Sequence, residues 1–238
     1  MILLALDTCD SRGSLAVLRD DEALTTFRHE GTSDYSTWVL PTADEALTAA
    51  GLRMADIDVF AVASGPGSFT GVRVGLTTVK AWSEAYGKPA AGVSRLEAMG
   101  STHPGDEGLV VAFVDAHREQ VFGGLFRRAP QGLILVEQEM VVAPEGFVKW
   151  VEERAAGKPV SWVSMDPEKI SLLEVWAARA SAGESIHLSP NALAPAIGKN
   201  GRQRARAERL TDALGLDAEY IRRTDAEIFS KGGAKVAT

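Results

Sequence analysis

The chain opens on a continuous apolar run, "MILLAL", closed by the turn-forming cluster "DTCDSRGS". An apolar run without alternation predicts a strand buried on both faces, and the polar cluster predicts the turn that ends it. "SLAVL" returns as a second strand and "ALTTFRHE" alternates as a third, so the opening reads as a β-meander. Over residues 36–50 the period changes. Val39, Ala43, Leu47 and Ala50 fall at helical spacing, and Gly51 stands where a left-handed glycine ends a helix. Pro41 lies inside that window, so the helix either starts after residue 36 or bends near its beginning. "DVFAVAS" at 58–64 predicts another strand, which leads through "GPGSFTGVR" into a helix. Its apolar stripe is Val72, Leu76, Val79 and Tyr86, and Arg73, Thr77, Lys80 and Glu84 hold the polar side. Strands alternating with helices predict an α/β layer fold.

The second half repeats the first. "ILLALDTCDSRGSLAVL" (2–18) and "VVAFVDAHREQVFGGLF" (110–126) share an apolar strand, an aspartate, a small residue, a polar turn and a returning strand. Asp7 and Asp115 occupy the same place, the pattern of an internal duplication. A strand at 133–142, a helix at 145–155, a strand at 159–165 and a helix at 170–182 follow. Ser189 and Pro190 read as the N-cap and first position of a last helix. Two halves led by paired strands predict two lobes, 1–104 and 105–238, joined in "STHPGDEG" at 101–108.

At 238 residues and 45% hydrophobic content the chain can bury a large core. A net charge of −7 argues against gripping nucleic-acid backbone as the main task, while a local basic patch stays open. Lys199, Arg202, Arg204, Arg206 and Arg209 form such a run, either meeting RNA phosphates or making a solvated helix face. No aromatic residue is interleaved, which favours the second. Cys9 is the only cysteine, which excludes an intrachain disulfide and a thiolate zinc cluster and suits a reducing compartment. No basic leader and no run near the roughly 20 apolar residues of a membrane span are present, so the expectation is a cytoplasmic protein.

Candidate chemistry is sparse. Gly65, Gly67 and Ser68 precede a helix start, with Ser68 or Thr70 as N-cap, and free N–H groups there can hold a phosphate. A plain strand-to-helix turn explains them equally, because neither G-x-x-x-x-G-K-[ST] nor G-x-G-x-x-G is met. Asp7, with Thr8, Ser11, Arg12 and Gly13 in its turn, and Asp115 in the second half suit orienting a metal-bound phosphate or activating a water, or simply forming turns. His29, His103, His117 and His187 are scattered without metal-ligand spacing, so no metal site is expected. No nucleophile elbow occurs. Gly71 and Gly75 each cost a helix interior about 1 kcal/mol, so their i, i+4 spacing predicts close approach by another element. That element belongs either to this chain or to a partner.

"LALDTCDSRGSLAVL", "GPGSFTGVRVGL", "GVSRLEAM", "VDAHREQVFGGLF" and the closing "AEYIRR" resemble the TsaB family across essentially the whole chain. Members are subunits of the bacterial machinery that makes N6-threonylcarbamoyladenosine in tRNA. The resemblance implies a duplicated RNase H-like fold of the actin (ASKHA) class, with two lobes of mixed β-sheet flanked by helices. It implies a non-catalytic dimerisation and activation subunit that binds and stabilises TsaD, the paralogue that transfers the group at a metal held by an H-x-x-x-H motif. The corresponding segment here, "SDYSTWVLP" at 33–41, has no histidine, and Tyr35 stands where members often keep one. Implied partners are TsaD, the ATPase TsaE, a second copy when TsaD is absent, and tRNA through the complex. No cofactor is implied for this chain, ATP and metal being used by its partners. The implied interface is the first two helices, through Leu40, Ala43, Leu47, Gly71, Val72, Gly75, Thr78 and Trp82, with the glycines admitting a partner helix. Asp7, Thr8, Gly65, Gly67, Ser68 and Asp115 are left as a vestigial phosphate or nucleotide site. An independent ATPase or phosphotransferase built on Asp7 and Asp115 is the alternative. A peptidase is a third reading, opposed by the missing histidines.

Overall fold

A computed structural model describes residues 1–30, 34–105, 107–218 and 221. Strands β1 (Ile2–Asp7), β2 (Ser14–Arg19) and β3 (Glu22–Arg28) form the expected meander, and helix α1 (Tyr35–Ala49) follows. Pro41 sits inside α1 with its ring in solvent, so the helix neither starts late nor breaks. Gly51 adopts φ +67°, the left-handed end that its sequence position predicts. β4 (Val59–Gly65), α2 (Phe69–Tyr86), β5 (Ala90–Ser94) and the short α3 (Arg95–Gly100) complete the first half. Its sheet runs β3-β2-β1-β4-β5, with β4 and β5 parallel to β1. Residues Leu3 to Leu6 are sealed because β1 is the central strand with helices on both faces. Each such leucine contributes about 1.5–3 kcal/mol by leaving water.

The second half repeats this order. β6 (Leu109–Asp115), β7 (Val121–Ala129), β8 (Gly132–Leu135), β9 (Met140–Val142), β10 (Val160–Ser164) and β11 (Ile186–Leu188) give β11-β10-β6-β7-β8, with β9 also on β7. Central strand, antiparallel hairpin and two parallel additions thus recur, as duplicated RNase H-like lobes require. Helices α4 (Pro144–Ala155), α5 (Glu168–Ser171) and α6 (Glu174–Ser181) cover one face around an aromatic core of Phe113, Phe147, Trp162 and Trp176.

The structure corrects several boundaries. The strand expected at 133–142 is two strands, because the chain leaves the ladder between Leu135 and Met140. The helix expected at 170–182 is α5 and α6, interrupted at Leu172 and Leu173. Ser189 caps no helix: its N–H extends the sheet by donating to the Ser164 carbonyl at 2.8 Å. The last helix, α7 (Ala194–Arg206), begins later. It also crosses the predicted division at 104/105, for α7 packs on β1, β2 and β4 of the first sheet while α3 packs mainly on the second. Small residues make both crossings possible. A Cβ on Gly201 would stand 2.8 Å from that of Ala61, and one on Gly100 would stand 2.9 Å from Leu133 Cδ1. The exchanged closing helices join the sheets through one apolar cluster running from Leu4 to Val163.

Candidate functional site

The C-terminal ends of β1 and β6 bring the two duplicated aspartates to facing turns, and the chain's own groups fill the space around the first. Asp7 is fully buried, and its Oδ2 accepts from Arg95 Nε at 3.2 Å. Arg95, also buried, continues to Asp10 Oδ2 at 2.7 Å. Arg12 grips the same carboxylate at 2.7 Å and reaches Asp166, after β10, at 2.7 Å. Asp166 Oδ2 in turn accepts the Asp115 N–H at 2.9 Å, so one ion ladder links both lobes. Burial alone would raise the Asp10 pKa, but Arg95 and Arg12 outweigh it and hold it down to about 2. Lys169 pairs with Asp115 at 3.0 Å. Burial opposes the charge of Asp115 as well, and the bonds from Lys169 and the His117 N–H still keep its pKa below the usual carboxylate range.

The glycine turn is occupied in the same way. Ser68 N–H, one of the donors a phosphate would take, donates to the Cys9 carbonyl at 2.6 Å. A Cβ on Gly67 would collide with that carbonyl. Ser68 is the N-cap, its Oγ accepting from Gly71 N–H at 3.4 Å, and Thr8 Oγ1 donates to the Gly71 carbonyl at 2.7 Å. Gly65 is buried and left-handed, at φ +114°. The β1–β2 turn therefore presses on the start of α2 where a nucleotide phosphate would lie. The structure brings Asp7, Thr8, Gly67 and Ser68 together as a packed junction, with Asp115 across the ladder. Cys9 is buried beside Asp7, and burial, reinforced by that charge, pushes its thiol pKa up. Tyr35 supports the turn from α1: its hydroxyl accepts from Gly13 N–H at 2.8 Å and donates to the Asp10 carbonyl.

The glycine stripe of α2 faces inward, which corrects the reading that Gly71 and Gly75 admit a partner helix. A Cβ on Gly71 would strike the Thr8 carbonyl, and one on Gly75 would lie 2.5 Å from Thr8 Oγ1 and 3.3 Å from Val62 Cγ2. Ala43 and Val72 are likewise sealed within the chain's own core, while Leu47, 4% exposed, reaches the floor of the groove described next. The outer surface belongs to their neighbours. Leu40 is 59% exposed and Thr78 half-buried, while Trp82 and Tyr86 line a groove of about 260 Å³ together with Leu40, Leu52 and Met54. Arg53 and Asp44 border it. The basic run of α7 is partly spent on internal pairs, Arg202 with Asp20 and Asp21, and Arg204 with Glu97 at 2.7 Å.

Arg95, Asp10, Asp166 and Lys169 were not singled out by sequence reasoning. Their signal was faint. "GVSRLEAM" marked Arg95 only as part of a family pattern, and nothing local reveals that an arginine is 1% exposed. The closing "AEYIRR" lies largely outside the described residues, as does Ser33.

A family model described as TsaD, tRNA N6-adenosine threonylcarbamoyltransferase, matches residues 30–177. Over 229 residues the chain is 27% identical to the tRNA threonylcarbamoyladenosine biosynthesis protein TsaB of Bacillus subtilis, covering 95% of this chain and 96% of that one. The Escherichia coli protein of the same description is 30% identical over 168 residues, 69% of this chain and 71% of its own. The chain belongs to the TsaB family. The match to the TsaD model sets this TsaB-family chain within the broader group that the model describes. The solved structures agree on the fold. A Pseudomonas aeruginosa protein described as similar to peptidase YeaZ superposes with a TM-score of 0.71 at 24% identity, over 93% of this chain and 99% of that one. Component A of (R)-2-hydroxyglutaryl-CoA dehydratase from Acidaminococcus fermentans gives 0.51 at 11% identity, over 87% and 99%. Among the described residues, no helix of this TsaB-family chain is long and apolar enough to cross a membrane.

Proposed function

We propose that this chain serves tRNA threonylcarbamoyladenosine biosynthesis in the cytoplasm as a non-catalytic subunit that binds and activates TsaD. The observation that carries this reading is the self-filled junction. Asp7 is buried against Arg95, and the Cys9 carbonyl takes the Ser68 N–H that a nucleotide phosphate would need. A guanidinium in that position supplies the charge that a metal would bring, so these residues do not fit a Mg–nucleotide complex. Family membership supports the pathway, since the Bacillus subtilis and Escherichia coli relatives carry it in their descriptions. The docking surface in this reading is the outer side of α1 and α2, where Leu40, Thr78, Trp82 and Tyr86 meet solvent or line the groove. Docking there leaves TsaD to supply the metal chemistry, with TsaE and tRNA joining the assembled complex.

Reconstitution tests it. Threonylcarbamoyl transfer to tRNA by TsaD and TsaE is expected to fall at least about tenfold when this chain is omitted. Full transfer without it, or ATP turnover by the isolated chain that Asp7→Asn abolishes, would replace this reading with that of an independent phosphotransferase.

A further inference from the structure

The two lobes meet in two physically different ways. Around α3 and α7 they share the apolar cluster that runs from Leu4 to Val163, where contacts are non-directional. At the ends of β1 and β10 they meet through charge. The Arg12 guanidinium lays its fork on Asp166, Nη1 donating to Oδ1 at 2.7 Å and Nη2 to Oδ2 at 3.2 Å. Both sides of this contact are held in place. On the first lobe the Arg12 N–H and Nε donate to the Asp10 carboxylate at 2.8 and 3.1 Å, and the buried Arg95 grips it at 2.7 Å. On the second, Asp166 accepts from the Asp115 N–H at 2.9 Å, and its own N–H donates to Ser164 Oγ at 2.9 Å. The fork itself is open to water, with the side chains of Arg12 and Asp166 27% and 14% exposed. A cavity of about 190 Å³ lies beside it, lined by Ser11, Arg12, Arg28, Glu30 and Asn191 among others, so a released Arg12 has space to swing into and the Glu30 carboxylate on its wall. The turn that carries Arg12 is tied to α1 as well, through the Tyr35 hydroxyl between the Gly13 N–H and the Asp10 carbonyl.

We infer that Arg12 is a latch between the lobes: its fork on Asp166 holds the strand ends together, its release lets the lobes turn about the α3–α7 cluster, and Tyr35 carries that movement to the start of α1. A bidentate guanidinium–carboxylate pair fixes angle as well as distance, so it holds one arrangement of the lobes and resists intermediate ones. The apolar cluster suits a hinge, because packed faces can shift by small amounts without being separated. Latch and hinge thus divide the work of joining the lobes. The device rests on contacts within this chain and stands independently of the proposed partnership with TsaD.

Double electron–electron resonance on the full chain reads the lobe arrangement, with spin labels at Thr26→Cys on β3 and Glu152→Cys on α4, both exposed sites. Cys9 is fully buried and stays unlabelled. The parent is expected to give one narrow distance, and Arg12→Gln a second, displaced distance in at least about a tenth of the molecules. Asp166→Asn keeps an acceptor for the Asp115 N–H and is expected to give the same distribution, as is the double variant, because each removes one shared contact. Arg154→Gln breaks a pair of similar exposure within the second lobe, to Glu137 at 3.1 Å, and is expected to leave the distance unchanged. Hydrogen exchange follows the link to α1 through the Trp38 N–H, which closes the first turn onto the Asp34 carbonyl. Its exchange is expected to quicken at least about fivefold in Arg12→Gln, but not when Tyr35→Phe is already present. Superimposable distances in folded Arg12→Gln and Asp166→Asn proteins, additive displacements in the double variant, or an equal displacement in Arg154→Gln would overturn the latch. Trp38 exchange indifferent to Arg12→Gln would overturn its link to α1.

Discussion

The two aspartate turns began as one pattern and ended in opposite environments. At the end of β1, Asp7 is fully buried, paired with an arginine that is itself buried, and roofed by the start of α2. At the end of β6, Asp115 remains partly exposed, its partner Lys169 is 36% exposed in its side chain, and the next turn stands in water. That turn carries His117, Arg118 and Glu119 in succession at φ of 58°, 51° and 57°, all three exposed. Position in a repeat therefore dictates the strand pairing and the bond that each aspartate Oδ1 accepts from the N–H two residues on, but neither the turn's backbone nor its electrostatic setting. The first turn has become part of the core, and the second has stayed a surface.

The comparison breaks most readily at Arg95. Arg95→Ala leaves the Asp7 carboxylate buried and unpaired, so a loss of about 3–5 kcal/mol in chemical denaturation is expected. A loss under about 1 kcal/mol would show that Asp7 is hydrated and the two turns are alike. Next comes the roof. Gly71→Ala drives a methyl into the Thr8 carbonyl, and backbone cannot yield as a flexible side chain can, so about 3 kcal/mol is expected from the denaturation midpoint. Retained stability together with weakened TsaD binding would return the glycine to the outer surface.

Acid acts on the same ladder. The Asp10 carboxyl is depressed to about 2 in the fold and titrates near 3.9 when unfolded. A depressed carboxylate adds stability that is complete above the unfolded value and is lost as pH falls toward the folded one. Stability should therefore decline between about pH 5 and pH 2 by about 2 kcal/mol from this group, and Asp10→Asn should flatten that decline. An unchanged slope in the variant would detach Asp10 from the ladder. The smallest effect belongs to the second turn: Lys169→Ala removes a solvent-screened pair and should cost less than about 1 kcal/mol by thermal melting. A cost matching that of Arg95→Ala would erase the contrast.

Much of the fold was legible because its signals are local. Apolar runs gave the central strands, helical spacing gave α1 and α2, Gly51 gave a helix end, and the repeated aspartate hairpin gave the duplication. What stayed hidden depends on distant partners. The spacing of Gly71 and Gly75 told of close approach but not by which chain, and the answer was Thr8, far back in sequence. An arginine normally reads as exposed, so Arg95 gave no sign of its burial. The crossing of α7 onto the first sheet was equally silent, since its glycines and alanines fit either lobe. Of the site, both aspartates and the glycine turn were visible as residue types. Their neutralisation by Arg95 and filling by Cys9 were not.

The central claim is that the chain works through the outer side of α1 and α2 rather than through a reaction centre of its own. Calorimetric affinity of Leu40→Asp for TsaD tests it most directly, because Leu40 is 59% exposed and its replacement leaves the core untouched. The account predicts binding weakened at least about tenfold in a protein that melts like the parent. An affinity equal to the parent's would contradict it.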